Sequence, residues 1–143
     1  MEPTKVSTLM LTYNQERFVG EAIESFLMQR TNFPHELVIA DDCSTDGTRD
    51  VIRRHWQANP DRIRVLLNRR NVGALRNFAR ACAAGGGQYI AILEGDDCWS
   101  SPDKLQRQVD MLDGNPRFAM CFHSVRMVWD DGSRGPVIFR PEE

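Results

Sequence analysis

A chain of 143 residues has room for one domain and for a hydrophobic core that needs no disulfide staples. Its 18 basic and 20 acidic side chains leave a formal net charge of −2, which argues against a nucleic-acid binder that works through bulk positive charge. The 4 cysteines show no C-x-x-C spacing, and no apolar run approaches a membrane span, so reduced, packed thiols in a cytosolic protein are expected. Residues 1–5 lack the pattern of a signal peptide. No repeat or low-complexity tract interrupts the chain.

In chain order, residues 6–12 (VSTLMLT) read as a strand buried on both faces, and Tyr13-Asn14-Gln15 turns the chain. Phe18, Val19, Ala22, Ile23, Phe26 and Leu27 then recur at helical spacing, as on a core-facing stripe. Residues 36–40 (ELVIA) form a second strand that ends in Asp41-Asp42. Ser44 to Thr48 is rich in N-cap residues, with Asp46 the expected cap of a helix turning Val51, Ile52 and Trp56 inward. A short strand over 63–67 follows, then a polar loop over 68–73, then a helix with Leu75, Phe78, Ala79 and Cys82 on its inner face. The triple glycine at 85–87 stops that helix and leads into a strand over 89–93. Ser101 and Pro102 open a last helix with Leu105, Val109 and Leu112 inward. A fifth strand is expected over 118–129, closed by a turn at 130–133. The alternation predicts an α/β fold with a doubly wound, mostly parallel sheet, one domain over 1–143 with its core at about 6–129.

The fourth strand empties into Glu94-Gly95-Asp96-Asp97. Three carboxylates in four residues repel one another unless a cation neutralises them, and hard ions such as Mg²⁺ or Mn²⁺ suit such oxygens and often bridge a protein to phosphates. Parallel strands bring their carboxyl ends to one edge, where open α/β sheets bind ligands. Thr12-Tyr13-Asn14, Asp41-Asp42 and residues 94–97 are therefore expected to converge. A dinucleotide fingerprint is absent, because the first turn holds no glycine. Trp99 reads as packing that closes the acidic loop, and Asp41 as the member of its pair that fixes the loop. Arginines crowd residues 49–80; most are expected on solvated faces, with one or two free to meet a phosphate.

Four pieces in register resemble a family-two glycosyltransferase with the GT-A nucleotide-sugar-binding fold. They are Leu11-Thr12-Tyr13-Asn14, the run from Asp41-Asp42 to Gly47-Thr48, Asn71-Val72-Gly73 with Arg76 and Asn77, and Glu94-Gly95-Asp96-Asp97. The resemblance implies that Tyr13 lies on the nucleotide base and that Asp42 accepts the imide N–H of uracil. It also implies that Asp96 contacts the ribose, that Asp97 (with Asp96) holds Mg²⁺ or Mn²⁺, and that Arg76 serves the diphosphate. Glu94 stands where the family usually has the first aspartate of Asp-x-Asp.

The activity so implied is inverting transfer of a sugar from a UDP- or dTDP-type donor to an acceptor hydroxyl on a glycan, lipid or protein, in cell-wall or polysaccharide biosynthesis. A cytoplasmic location, at or near the inner membrane face, goes with it. The family's general base comes from a later acidic motif and is expected beyond residue 143, so no measurable transfer is expected of this chain unless a partner chain supplies the base. A nucleotide-sugar binding module without turnover is the second reading. A nucleotidyltransferase is the third, and it would need a Gly-rich basic loop after the first strand. Apolar residues of the fourth and fifth strands left without cover lead to an expectation of a homodimer, with the 118–129 strand or the tail exchanged.

Overall fold

A computed structural model of the chain describes residues 3–140. Met1 and Glu2, part of the stretch read above as lacking a leader pattern, and the last residues of the tail, 141–143, lie outside the described residues. The chain divides into two compact units, which part between Gln106 and Arg107.

The first unit is an α/β layer structure built on four parallel strands, β1 (Val6–Thr12), β2 (His35–Asp41), β3 (Ile63–Leu67) and β4 (Tyr89–Ile92), in the order β3-β2-β1-β4. Helix α1 (Val19–Leu27) joins β1 to β2, α2 (Thr48–Ala58) joins β2 to β3, and α3 (Ala74–Ala84) joins β3 to β4. The two middle strands carry the most continuous apolar runs because both of their faces are covered. Leu9, Met10, Leu37, Val38, Ile39 and Ala40 are fully buried there. Helix α3 packs on β1 and β2, while α1 lies against α2. The stripe of α1 is inward as its spacing requires: Val19, Ala22, Ile23 and Phe26 are buried. Helix α4 (Lys104–Asp113) crosses the division between the units, with Leu105 and Val109 buried.

Register decides what the sheet presents at its carboxyl edge. Thr12 lies opposite Asp41, so β1 and β2 end level. β4 pairs with β1 only as far as Ile92 opposite Leu9. Its backbone nevertheless keeps bonding along β1, because Leu93 N–H donates to Leu9 O at 3.0 Å and Gly95 N–H to Leu11 O at 3.0 Å. That extension lays the acidic loop beside the end of β1.

Several sequence expectations are corrected. Trp56 is 42% exposed and Leu75 is 82% exposed, so neither faces the core. On α3 the buried positions are Asn77 and Ala81, with Phe78 and Cys82 packed at the core margin. Leu75 and Asn77 differ by two residues and cannot share a helical face. A polar residue took the inward position because its amide has a carbonyl to bond, as the site shows below. The strand expected over 118–129 is not formed as such. The second unit instead holds a two-stranded antiparallel hairpin, β5 (Val125–Met127) and β6 (Val137–Phe139), with every residue of both strands exposed. Among the described residues no helix is long and apolar enough to cross a membrane.

Candidate active site

The turn between β1 and α1 is tied to the turn between β2 and α2. Asn14 sits in the left-handed region with φ 52°, which its short polar side chain tolerates. Its N–H donates to Ser44 Oγ at 2.9 Å, and its Oδ1 accepts from Thr45 N–H at 2.8 Å. Gln15 N–H donates to Thr48 Oγ1 at 2.8 Å, Glu16 N–H to Asp46 at 3.2 Å, and Gly47 N–H to Glu16 at 3.0 Å. Asp46 also accepts from Thr48 N–H at 3.0 Å, but the N-cap of α2 is Gly47, so Asp46 stands one residue ahead of the position expected of it. The lacing holds two strand ends in one frame and leaves the Tyr13 ring, 47% exposed, free to line a cavity.

That cavity has a volume of about 320 Å³ and is walled by the ends of β1 and β2, the start of α3 and the acidic loop. Leu11, Thr12, Tyr13, Gln15, Asp42, Asn71, Gly73, Ala74, Asn77 and Glu94 line it. A larger groove of about 480 Å³ lies between α2 and β3, beside Trp56 and Leu67. It takes in none of the residues on the carboxyl edge around Asp42 and the acidic loop, so its size carries less weight than the chemistry of the smaller one.

The two aspartates that end β2 have separate tasks. Asp41 is fully buried and bonds inward, to Ser44 and to the Arg49 guanidinium, which also donates to Asn68 O at 2.6 Å. Asp42 lines the cavity at 4% exposure. Its Oδ1 accepts from Val72 N–H at 2.8 Å and from the Asn68 amide at 2.8 Å, and its Oδ2 accepts from Gly73 N–H at 2.9 Å. Gly73 has φ 85°, a conformation that glycine adopts without strain and that turns its N–H onto the carboxylate. Burial works to raise the Asp42 pKa, but the donors from Val72, Asn68 and Gly73 outweigh it and hold the group below the usual carboxylate range. Asp42 is therefore an ionised acceptor at neutral pH.

The acidic loop closes the other side. Asp97 N–H donates to Glu94 O at 3.1 Å, making a tight turn, and Gly95 packs so closely on the end of β1 and the turn after it that a Cβ there would stand 3.0 Å from Thr12 Cβ and 2.4 Å from Gln15 Oε1. Glu94 is half-buried, and burial, then the charges of Asp96 and Asp97, push its pKa up. Burial, then Asp96, does the same to Asp97. Thr12 Oγ1 and Gln15 Oε1 are buried in the cavity wall without a hydrogen-bond partner. Unpaired buried polar atoms are costly. Trp99 is buried under the ring-stacked ammonium of Lys104, 3.8 Å from its centroid, in keeping with a packing role.

Of the motif residues singled out from sequence, Leu11, Thr12, Tyr13, Asp42, Asn71, Gly73, Asn77 and Glu94 are brought together in the cavity wall. Asn14 spends its side chain on Thr45 and is not in that wall; Arg76 is exposed in the first turn of α3, also outside it. Asp96 and Asp97 are exposed on the adjoining loop. Gln15, Asn68 and Asn77 had no assigned role in the sequence reading. The only signal for Asn68 was its position, one polar residue past the apolar run of β3.

Comparisons with known proteins identify the family and the fold. Residues 7–141 match the family described as Glycosyl transferase family 2. The chain belongs to that family. It is 42% identical over 129 residues to the uncharacterized protein Rv1520 of Mycobacterium tuberculosis, an alignment covering 90% of this chain and 37% of that protein. The chain thus spans well under two thirds of the length of such relatives. Among solved structures, S. aureus TarS 1-349 in complex with UDP-GlcNAc aligns at TM-score 0.70 and 26% identity, over 79% of this chain and 32% of TarS. Mannosyltransferase PcManGT from Pyrobaculum calidifontis, in complex with GDP-Man and Mn²⁺, aligns at TM-score 0.69 and 25% identity, over 78% of this chain and 34% of that one. The fold of this family 2 glycosyltransferase chain is therefore of the GT-A type, and it corresponds to part of those larger chains.

Proposed function

We propose that this chain is the donor-binding part of an inverting glycosyltransferase that takes a UDP- or dTDP-sugar and passes the sugar to an acceptor hydroxyl at the cytoplasmic side of the cell. The observation that carries the reading is the Asp42 carboxylate, held ionised by its N–H donors and lining the same cavity as Tyr13. An imide N–H flanked by two carbonyls, as in uracil or thymine, is the donor such a carboxylate reads, and Tyr13 supplies an apolar face for the ring.

A divalent cation fits the residues present. After burial, the charges of Asp96 and Asp97 raise the proton affinity of Glu94, and that of Asp96 raises the proton affinity of Asp97, which marks concentrated negative charge. No group of three His, Cys, Asp or Glu side chains converges on one point among the described residues. Asp97 with Asp96 would thus hold Mg²⁺ or Mn²⁺ in a shell that phosphate oxygens complete. Such an ion supplies Lewis-acid neutralisation of the departing diphosphate. The protein's own contribution is to bind and orient the nucleoside through Tyr13, Asp42 and Thr12. In this reading Asp96 would contact the ribose and Arg76 would serve the diphosphate. Calorimetry with UDP, dTDP, CDP and ADP, each with and without Mn²⁺, tests the reading. Preference for UDP and dTDP that increases with metal supports it; equal affinity across the four bases sinks it.

A further inference from the structure

Residues 62–93 hold six arginines and no acidic side chain, in a chain whose formal net charge is −2. Helix α3 lies within this stretch. Its exposed residues are Ala74, Leu75, Arg76, Ala79, Arg80 and Ala83, so its outer face carries apolar groups and arginine but no acid and no uncharged polar side chain. An ordinary solvated face mixes both signs, as α2 does where Arg53 donates to Asp50 at 2.8 Å. Positions 75, 79 and 83 of α3 stack in one row, and positions 76 and 80 in the row beside it. At the head of the apolar row, Leu75 is 82% exposed.

Contacts extend the cationic row beyond the helix itself. The Arg80 guanidinium donates to Asn68 Oδ1, at the residue that leads into Arg69 and Arg70, both of them exposed. At the far end of α3, Arg64 donates to Ala84 O. The arginines therefore flank α3 on its β3 side over the full 11 residues of the helix, a length of about 16 Å. Glu36 pairs with Arg64 at 3.5 Å. Among the described residues no carboxylate pairs with Arg69, Arg70, Arg76 or Arg80.

We infer that the outer face of α3, together with Arg69 and Arg70 in the loop before it, docks on the surface of an anionic lipid bilayer. The arginines meet headgroup phosphates, and Leu75 enters the apolar boundary beneath them. Charge complementarity decides the occupant. A second copy of the chain would set one arginine row against another. A single phosphate cannot span the row, and a nucleic acid offers no apolar layer to an exposed leucine. A bilayer offers both a plane of negative charge and an apolar layer below it. Gly73 and Ala74, at the start of α3, line the candidate donor cavity, so docking here sets that cavity beside the headgroups. The inference does not depend on the reading of the cavity, since binding to vesicles requires no nucleotide.

Flotation of the full chain with two kinds of vesicle tests it, one of phosphatidylcholine alone and one with about a third of phosphatidylglycerol. Wild type is expected to bind the anionic vesicles about 10-fold or more tightly than the neutral ones, and to be released from them by salt. On the anionic vesicles, the double substitution Arg69→Gln/Arg70→Gln is expected to lower the partition about 10-fold. Leu75→Ala is expected to lower it about 3-fold or more. Equal binding to the two kinds of vesicle, or wild-type binding by either variant, overturns the inference. Attachment through the exposed hairpin would ignore both substitutions and counts as such a failure. If the chain leaves vesicles unbound but binds duplex DNA through Arg69 and Arg70, the occupant is a nucleic acid and the inference falls. Circular dichroism checks that the variants fold. Should the double variant not fold, Ala79→Glu, which puts an acid in the middle of the face, replaces it with the same expected loss, and the wild-type comparison stands in either case.

Discussion

At the scale of single residues, the site is a contrast between an acid that is fully supplied with donors and acids that are not. Asp42 has three N–H partners and stays ionised. Its folded pKa lies below the unfolded value, so the stability it contributes is complete above the unfolded pKa and disappears as pH falls through the folded one. Chemical denaturation followed from pH 5 down to pH 2 should therefore show a shallower acid loss for Asp42→Asn than for wild type; parallel curves would contradict the assignment. Asp42→Ala should weaken UDP binding by about 1–3 kcal/mol, the size of one lost charge-assisted hydrogen bond. Asp97 is in the opposite situation, pushed up by burial and by the charge of Asp96. Asp97→Asn should keep the fold and remove the enhancement of UDP affinity by Mn²⁺. If a chelator leaves wild-type UDP affinity unchanged, the acidic loop is not a metal site.

At the scale of elements, helix faces are decided by what the sheet below can accept. α3 turns Asn77 inward because Ala40 O lies there to be bonded, and Leu75 is left in solvent as a consequence. Ile52 on α2 is fully enclosed. Ile52→Ala should cost about 2–5 kcal/mol, the range for emptying a packed aliphatic site. Leu75→Ala should fall within about 0.5 kcal/mol, as for exposed positions away from special contacts. Thermal or urea melts of the two variants give the comparison. A large loss at Leu75 would mean that its side chain is covered.

At the scale of the whole molecule, the first unit carries the sheet and the site, and the second is a small hairpin with little cover of its own. A lone two-stranded hairpin is marginal in water. Phe118, Met120, Phe122, Val125, Met127, Ile138 and Phe139 are all exposed on that unit, and on β4 so are Ile90 and Ile92. Apolar surface of this kind promotes association. Light scattering is expected to give the isolated chain a mass above its own 16.4 kDa, rising with concentration. A constant monomer mass at high concentration would remove the expectation.

The order of strands and helices, the acids at the ends of β2 and β4, and the aromatic at the end of β1 were readable from residue identity, because strand runs and turn residues leave a local imprint on sequence. That imprint was enough for the fold class and for Thr12, Tyr13 and Asp42 as cavity residues. It failed where local pattern and long-range partner disagree. The apolar run over 118–129 satisfies strand propensity, yet a strand needs a neighbour to bond, and only Val125–Met127 finds one, in β6. Leu75 and Trp56 look like core by composition, but the covering contacts that would bury them are not local. Asn68, Asn77 and Gln15 were hidden for the same reason. An amide's role is set by which donors and acceptors stand around it, and those come from β2, α3 and the acidic loop, brought together only when the chain folds.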